Sequence, residues 1–441
     1  MDGQTFGRFN INLLFWLFLA MVADGFDIAG LASAAPNMAR TWQIAPKAFA
    51  PALSASLFGI LVGAPLLGYM GDRFGRKPII VIGSLIFSLG TLATASTRNL
   101  DQVVLLRVLT GIGLGGIMPN AVALTAELAP ARLRATLIVL MFIGISVGAA
   151  LPGTIQAWLI PHYGWPIMFW IGGAVPLIVT GCLLWKLPES AKFLATREER
   201  SRDLLATIRS LRPDLKIAEG TRFTAAPGLI VRGSGLTQIL SGAFAILTPM
   251  LWVCFAGALM ANFFLNSWLP LLFENSGFTA PQSGIAISSY HLGGVLGGLL
   301  VSLVLPRFGF VIIAALFLLA ALAIASIGLF NHSYALVLGW VLIAGSCTVG
   351  AQFGNLAAAG LLYPTTLRSR GVGWALGIGR IGSIVGPLLG GLLIGLKVPP
   401  SRLFIFAAVP MVVGLIASVV IARLRYTRVG SIALGDNLTP V

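Results

Sequence analysis

Two aspartates, Asp24 and Asp27, lie inside the first long apolar stretch of the chain, in the run Leu19-Ala-Met-Val-Ala-Asp-Gly-Phe-Asp-Ile-Ala-Gly-Leu31. An acid near the centre of a membrane helix costs about 2.5–3.5 kcal/mol on insertion scales, so two of them require a compensating role. At 100° per residue the positions are only about 60° apart, which puts both carboxyls on one helical face. Like charges sharing a buried face do not both stay ionised without cost, so the chemistry expected of this pair is reversible protonation. The plainer alternative is structural: one Asp pairs with a buried Arg, or caps a helix broken at Gly25.

Two arginines also fall inside apolar tracts, Arg107 and Arg380. Asp27 and Arg107 each lie roughly 8–9 Å below the outer ends of their tracts at 1.5 Å per residue, so an ion pair between them would lower the cost of burying both. Arg380 sits about 15 Å deep, with no acid of its own half at that level. Its planar guanidinium is suited to hold a substrate carboxylate through two parallel hydrogen bonds. His291 and Asn262 fall near the same depth and would add hydrogen bonds. Phe26, Phe263, Phe264, Trp268, Tyr290 and Trp374 are candidates for ring-stacking walls.

The elements that must position these groups are membrane helices. The chain has 441 residues, 57% of them hydrophobic and 10% charged, the balance of an integral membrane protein. Apolar tracts of bilayer-crossing length occupy roughly 10–33, 49–71, 78–97, 102–126, 135–160 and 165–187, then roughly 249–272, 282–305, 309–330, 334–361, 371–396 and 402–424. The formal net charge of +15 is unevenly placed. Arg40, Lys47, Arg98, Lys397 and Arg402 lie in loops of one side, and the remaining loop and tail Lys and Arg lie on the other. This positive-inside asymmetry predicts cytoplasmic termini and explains the basic balance without nucleic acid. No cleavable signal is expected, and Cys182, Cys254 and Cys347 read as small packing residues. No metal or disulfide spacing is evident, and no nucleophile–base constellation marks an enzyme.

The organisation is two six-tract halves, 1–187 and 249–424, joined by a polar linker at 188–248 and followed by a tail at 425–441. In the linker, Leu204, Leu205, Ile208, Leu211 and Leu215 share one face of an amphipathic helix. An offset of 234 residues maps Pro36 onto Pro270, Gly59 onto Gly293, Gly63 onto Gly297, Arg73-Phe74-Gly75 onto Arg307-Phe308-Gly309, Gly111 onto Gly345 and Pro130 onto Pro364. The halves are therefore parallel repeats, an arrangement that predicts a binding site between them and alternating access. The same offset maps Asp24 and Asp27 onto Ala258 and Ala261, and Arg107 onto Val341. The buried charges belong to one half, as chemistry does and scaffold does not.

The loop Gly68-Tyr-Met-Gly-Asp-Arg-Phe-Gly-Arg-Lys77 resembles the signature loop of the major facilitator superfamily, and Arg107-Val-Leu-Thr-Gly-Ile-Gly113 its arginine-bearing fourth helix. Asp24-Gly25-Phe26-Asp27, Leu114-Gly-Gly-Ile-Met-Pro-Asn120, and Tyr363-Pro364 before Gly371-Val-Gly-Trp374 look like the aromatic acid:proton symporter family within it. Pro306-Arg-Phe-Gly309 is a degraded second copy of the loop that lacks the acid. The resemblance implies an all-α membrane protein of twelve transmembrane helices in two pseudo-symmetric halves. It also implies a proton-coupled symporter that imports a small organic anion, most simply a benzoate-type aromatic carboxylate, across a bacterial inner membrane. The expected partners are that acid, protons and the lipid bilayer, with the proton as coupling ion, no cofactor and a functional monomer. Asp72, Arg73 and Arg76, with Glu127, Arg134 and Pro188-Glu189-Ser190, would form a cytoplasmic gate. A sugar or polyol carrier and a non-transporting sensor are the rival readings; the first has no need of Arg380, and the second lacks room for an output domain.

Overall fold

The computed structural model describes residues 7–130, 132–195, 201–211, 238–242, 244–329, 333–363 and 365–432. Twelve helices among them are long and apolar enough to cross a membrane. They are α1 (Arg8–Trp42), α2 (Ala50–Phe74), α3 (Arg76–Thr94), α4 (Leu100–Leu128), α5 (Arg134–Trp158) and α6 (Pro166–Lys186). The second set is α7 (Phe244–Asn275), α8 (Ala280–Phe308), α9 (Phe310–Leu329), α10 (Tyr334–Leu362), α11 (Thr365–Gly395) and α12 (Pro400–Ile432). Helices are the economical choice here, because lipid offers a backbone no hydrogen-bond partner. Starts are set locally where polar residues allow: Asn99 accepts a bond from the Gln102 amide to cap α4, and Thr279 with Gln282 forms a reciprocal capping box on α8.

The chain divides into two compact units, 1–42 with 55–230, and 43–54 with 231–441. The linker boundary expected from sequence leaves 43–54 with the first half, whereas this segment packs in the second unit. There Ser54 Oγ donates to the Ile384 carbonyl of α11 at 3.1 Å, and Ala50 packs on Gly391. Helix α12 also runs on to Ile432, past the expected boundary at 424.

The repeat is legible in the packing of each unit. A Cβ at Gly63 of α2 would fall 2.3 Å from the Ile112 carbonyl oxygen of α4, and one at Gly297 of α8 would fall 1.9 Å from that of Ser346 in α10. Residues 112 and 346 are themselves related by the 234 offset. The same holds for Gly111 against Ser56 and Gly345 against Tyr290, and for Gly148 against Val22 and Gly382 against Ala256. Only glycine permits such backbone approach, so these positions dictate which helices touch. Gly75 and Gly309 both turn the chain with positive φ, +105° and +56°. Pro36 and Pro270 lie inside α1 and α7.

Helix Ser201–Leu211 is the described part of the expected linker helix. Leu204 is buried in a core cluster with Leu128, Leu187, Ala191 and Leu194, and Ile208 packs against that cluster. Leu215, Pro364 and residues 433–441 lie outside the described residues, as do the side chains of Arg307, Arg368 and Arg370.

Candidate functional site

Helix α1 runs without interruption through Gly25, so neither aspartate caps a broken helix. The glycine serves α5 instead: a Cβ there would sit 1.9 Å from the Ile145 carbonyl oxygen. Asp27 and Arg107, each 3% exposed, form a buried ion pair between α1 and α4. The guanidinium engages both carboxylate oxygens, with Nη2 donating to Oδ2 at 2.6 Å and to the Asp27 backbone carbonyl at 3.2 Å. Sequence reasoning missed the third member, Ser56, whose Oγ donates to Asp27 Oδ2 at 3.1 Å. Gly111 explains its placement, because the approach of α4 to the Ser56 backbone carries that hydroxyl onto the carboxylate.

Fork-to-fork geometry is what makes two buried charges tolerable, since each supplies the hydrogen bonds the other lost with water. Arg107 Nε is sealed and makes no hydrogen bond, so the guanidinium is not saturated. Asp24, 4% exposed, lies one turn before Asp27 and has an interaction of its own within the protein.

Around Gly75, the Glu189 carboxylate Oε1 accepts from the backbone amides of Arg76 (2.8 Å), Lys77 (3.2 Å) and Ser190 (2.8 Å). It thus satisfies orphan donors at the start of α3, where the helix dipole favours negative charge. Arg76 bridges Asp72 at 3.2 Å and Glu127 at 3.0 Å, and Ser190 Oγ donates to Glu127. Arg73 lies over the Phe74 ring. Arg134 has an interaction elsewhere in the protein, while its Nε makes no hydrogen bond. The Asp72 side chain is 71% exposed, whereas those of Arg76 and Glu127 are 16% and 18% exposed, so the firm part of the network is Arg76–Glu127–Ser190.

In the second unit, Tyr290 donates to Asn262 Oδ1 at 2.8 Å, and His291 Nε2 lies 2.8 Å from Asn266 Oδ1. Asn266 was not among the expected residues, although it sits four positions after Asn262 on the same face of α7. Arg380 is half-buried on α11 and has an interaction of its own within the protein. Two of the expected stacking rings are occupied by helix packing. Phe26 lies on Gly172 of α6, and Trp268 donates from Nε1 to the Pro387 carbonyl (2.9 Å) beside Gly390. Phe263 and Phe264 are buried in α7; Trp374 is 43% exposed beside Trp252.

A sequence profile described as Major Facilitator Superfamily matches residues 17–358 and 251–436. The chain belongs to the Major Facilitator Superfamily. This member is a membrane transporter and not an enzyme. It is 35% identical to the gallate transporter of Pseudomonas putida over 430 residues, covering 97% of this chain and 95% of that protein. It is 35% identical to the 4-hydroxybenzoate transporter PcaK of the same organism (90% and 89% covered), and 30% identical to the benzoate transport protein of Acinetobacter baylyi (94% and 90%). The fold of this superfamily member matches the xylose transporter XylE from E. coli, in a partially occluded inward-open conformation, with a TM-score of 0.70 at 14% identity over 95% of this chain and 98% of that one.

Proposed function

We propose that this protein is a proton-coupled symporter that imports an aromatic carboxylate by alternating access across a bacterial inner membrane, with both termini cytoplasmic. The observation that carries the reading is the buried Asp27–Arg107 pair with Asp24 one turn away, confined to one of two repeated halves. The similarity to carriers of gallate, 4-hydroxybenzoate and benzoate supports the substrate class.

The chemistry of coupling follows from charge balance. Paired, Asp27 and Arg107 are neutral together. A proton on Asp27 cancels the carboxylate and leaves the guanidinium as net positive charge in a place where charge is costly. A substrate anion taken up with the proton restores the net charge of the loaded carrier, so proton and anion are favoured together and each alone is disfavoured. Asp24 exchanges protons with Asp27, and Ser56 holds the carboxylate in register with the arginine. Arg380 receives the substrate carboxylate, exchanging its present interaction for the planar fork contact. The Arg76–Glu127–Ser190 network, with Asp72, Arg73 and Arg134 around it, latches the cytoplasmic ends of the first half.

The test is uptake of radiolabelled benzoate, 4-hydroxybenzoate and gallate by expressing cells, with and without a protonophore. Accumulation of at least one acid should collapse on adding the protonophore. Accumulation that persists unchanged would rule out proton coupling, and transport of sugars with no competition by these acids would rule out the substrate class.

A further inference from the structure

We infer that Asn266 and His291, with Asn262 and Tyr290 beside them, form a subsite for a phenolic hydroxyl, so that the preferred cargo is a hydroxylated aromatic acid. The inference rests on the aromatic-acid reading above and narrows it.

Donor and acceptor roles decide the matter. Asn266 Oδ1 has no hydrogen to give, so His291 Nε2 carries the hydrogen of their 2.8 Å bond and Nδ1 is left as an acceptor. Tyr290 likewise spends its hydrogen on Asn262 Oδ1. Three groups are left over: the carboxamide nitrogens of Asn262 and Asn266, and Nδ1 of His291. Among the described residues none of the three has a hydrogen-bond partner in the protein, and none is sealed from solvent. Yet Asn262, Asn266 and His291 are only 7%, 1% and 4% exposed. Each of the three groups is therefore accessible at one edge of an otherwise buried residue.

A phenolic hydroxyl both gives and takes a hydrogen bond. It satisfies His291 Nδ1 as a donor and a carboxamide N–H as an acceptor. A carboxylate would meet the Nδ1 lone pair with its own, and an aryl C–H would satisfy neither group. Polar residues also join membrane helices without binding anything. That role needs only the two bonds already made, and it does not account for three uncommitted groups. Nor does the scaffold demand polarity here: the counterparts of Asn262, Asn266 and His291 in the first half are Ile28, Ala32 and Leu57.

Affinities of the purified full-length protein for benzoate, 3- and 4-hydroxybenzoate and the matching fluorobenzoates, measured by titration calorimetry, test this. The better hydroxybenzoate should bind about tenfold tighter than benzoate, because the unhydroxylated acid leaves buried groups unpaired. The fluoro analogue of the same ring position fills the space without donating and should bind like benzoate. In Asn266→Leu and His291→Phe the ratio of hydroxybenzoate to benzoate affinity should fall toward one. Equal wild-type binding of benzoate and both hydroxybenzoates, a fluoro analogue as tight as the hydroxy acid, or a wild-type ratio kept in both variants would each overturn the subsite while leaving the carrier reading intact. Binding of no aromatic acid at all would remove the carrier reading and the subsite with it.

Discussion

Asp27→Asn keeps the size of the side chain and removes its charge, leaving a guanidinium that is 3% exposed opposite a neutral amide. The Nη2 bond to the Asp27 backbone carbonyl survives, and so does one side-chain acceptor, but the charged fork is lost. Removing one partner of a buried pair costs about 3–5 kcal/mol. At about 2–4 °C per kcal/mol for units of this size, the melting temperature should drop by roughly 6–20 °C. Arg107→Gln should cost a similar amount at high pH and less at low pH, since a carboxyl left alone can take a proton while an arginine cannot lose one. The double variant Asp27→Asn/Arg107→Gln has no net charge to bury and should recover about 2 kcal/mol or more relative to the sum of the singles. Melting of the four proteins in detergent, followed by tryptophan fluorescence at two pH values, gives the whole cycle. Additive losses in the double variant, with no pH dependence in Arg107→Gln, would refute the reasoning.

Gly63→Ala and Gly297→Ala should destabilise their units by comparable amounts, about 1–3 kcal/mol, since each drives a methyl into a carbonyl oxygen of the facing helix; a large loss at one and none at the other, read by melting, would contradict equivalent packing. Glu189→Ala should uncap α3 and cost about 1–2 kcal/mol, visible as faster hydrogen exchange at the amides of Arg76 and Lys77. Asp72→Asn, at an exposed position, should change stability by less than about 0.5 kcal/mol, while Glu127→Gln, at the half-buried junction of Arg76 and Ser190, should cost more. Arg380→Lys keeps the charge and loses the fork, so it should weaken carboxylate binding in a titration while lowering the melting temperature less than Asp27→Asn does.

Much of the framework was legible because its signals are local or periodic. Tract length identifies a membrane helix, and a single offset aligning Gly63 with Gly297 and Gly111 with Gly345 identifies equivalent helix contacts. The Asp27–Arg107 pairing followed from matched depth alone. Other features depend on which neighbour each helix meets, and composition carries no record of that. Phe26 and Trp268 have the residue types of a stacking wall, but Gly172 and Gly390 on the facing helices take up their rings. Ser56 is one small polar residue among many until α4 brings it to Asp27. Asn266 was within reach of helical spacing from Asn262, and its importance emerges only from the bond to His291. Gln43–Ser54 shows the same limit: nothing in its own residues says that its partners are Ile384 and Gly391.

The central claim is that each substrate anion enters with a proton carried by the acidic pair. The most direct measurement is the pH of a weakly buffered suspension of unenergised vesicles containing the protein when 4-hydroxybenzoate is added outside. Wild-type protein should make the medium alkaline as protons follow the acid inward, and Asp27→Asn vesicles should give no such signal. Entry of labelled acid into wild-type vesicles with no change in external pH would contradict the account.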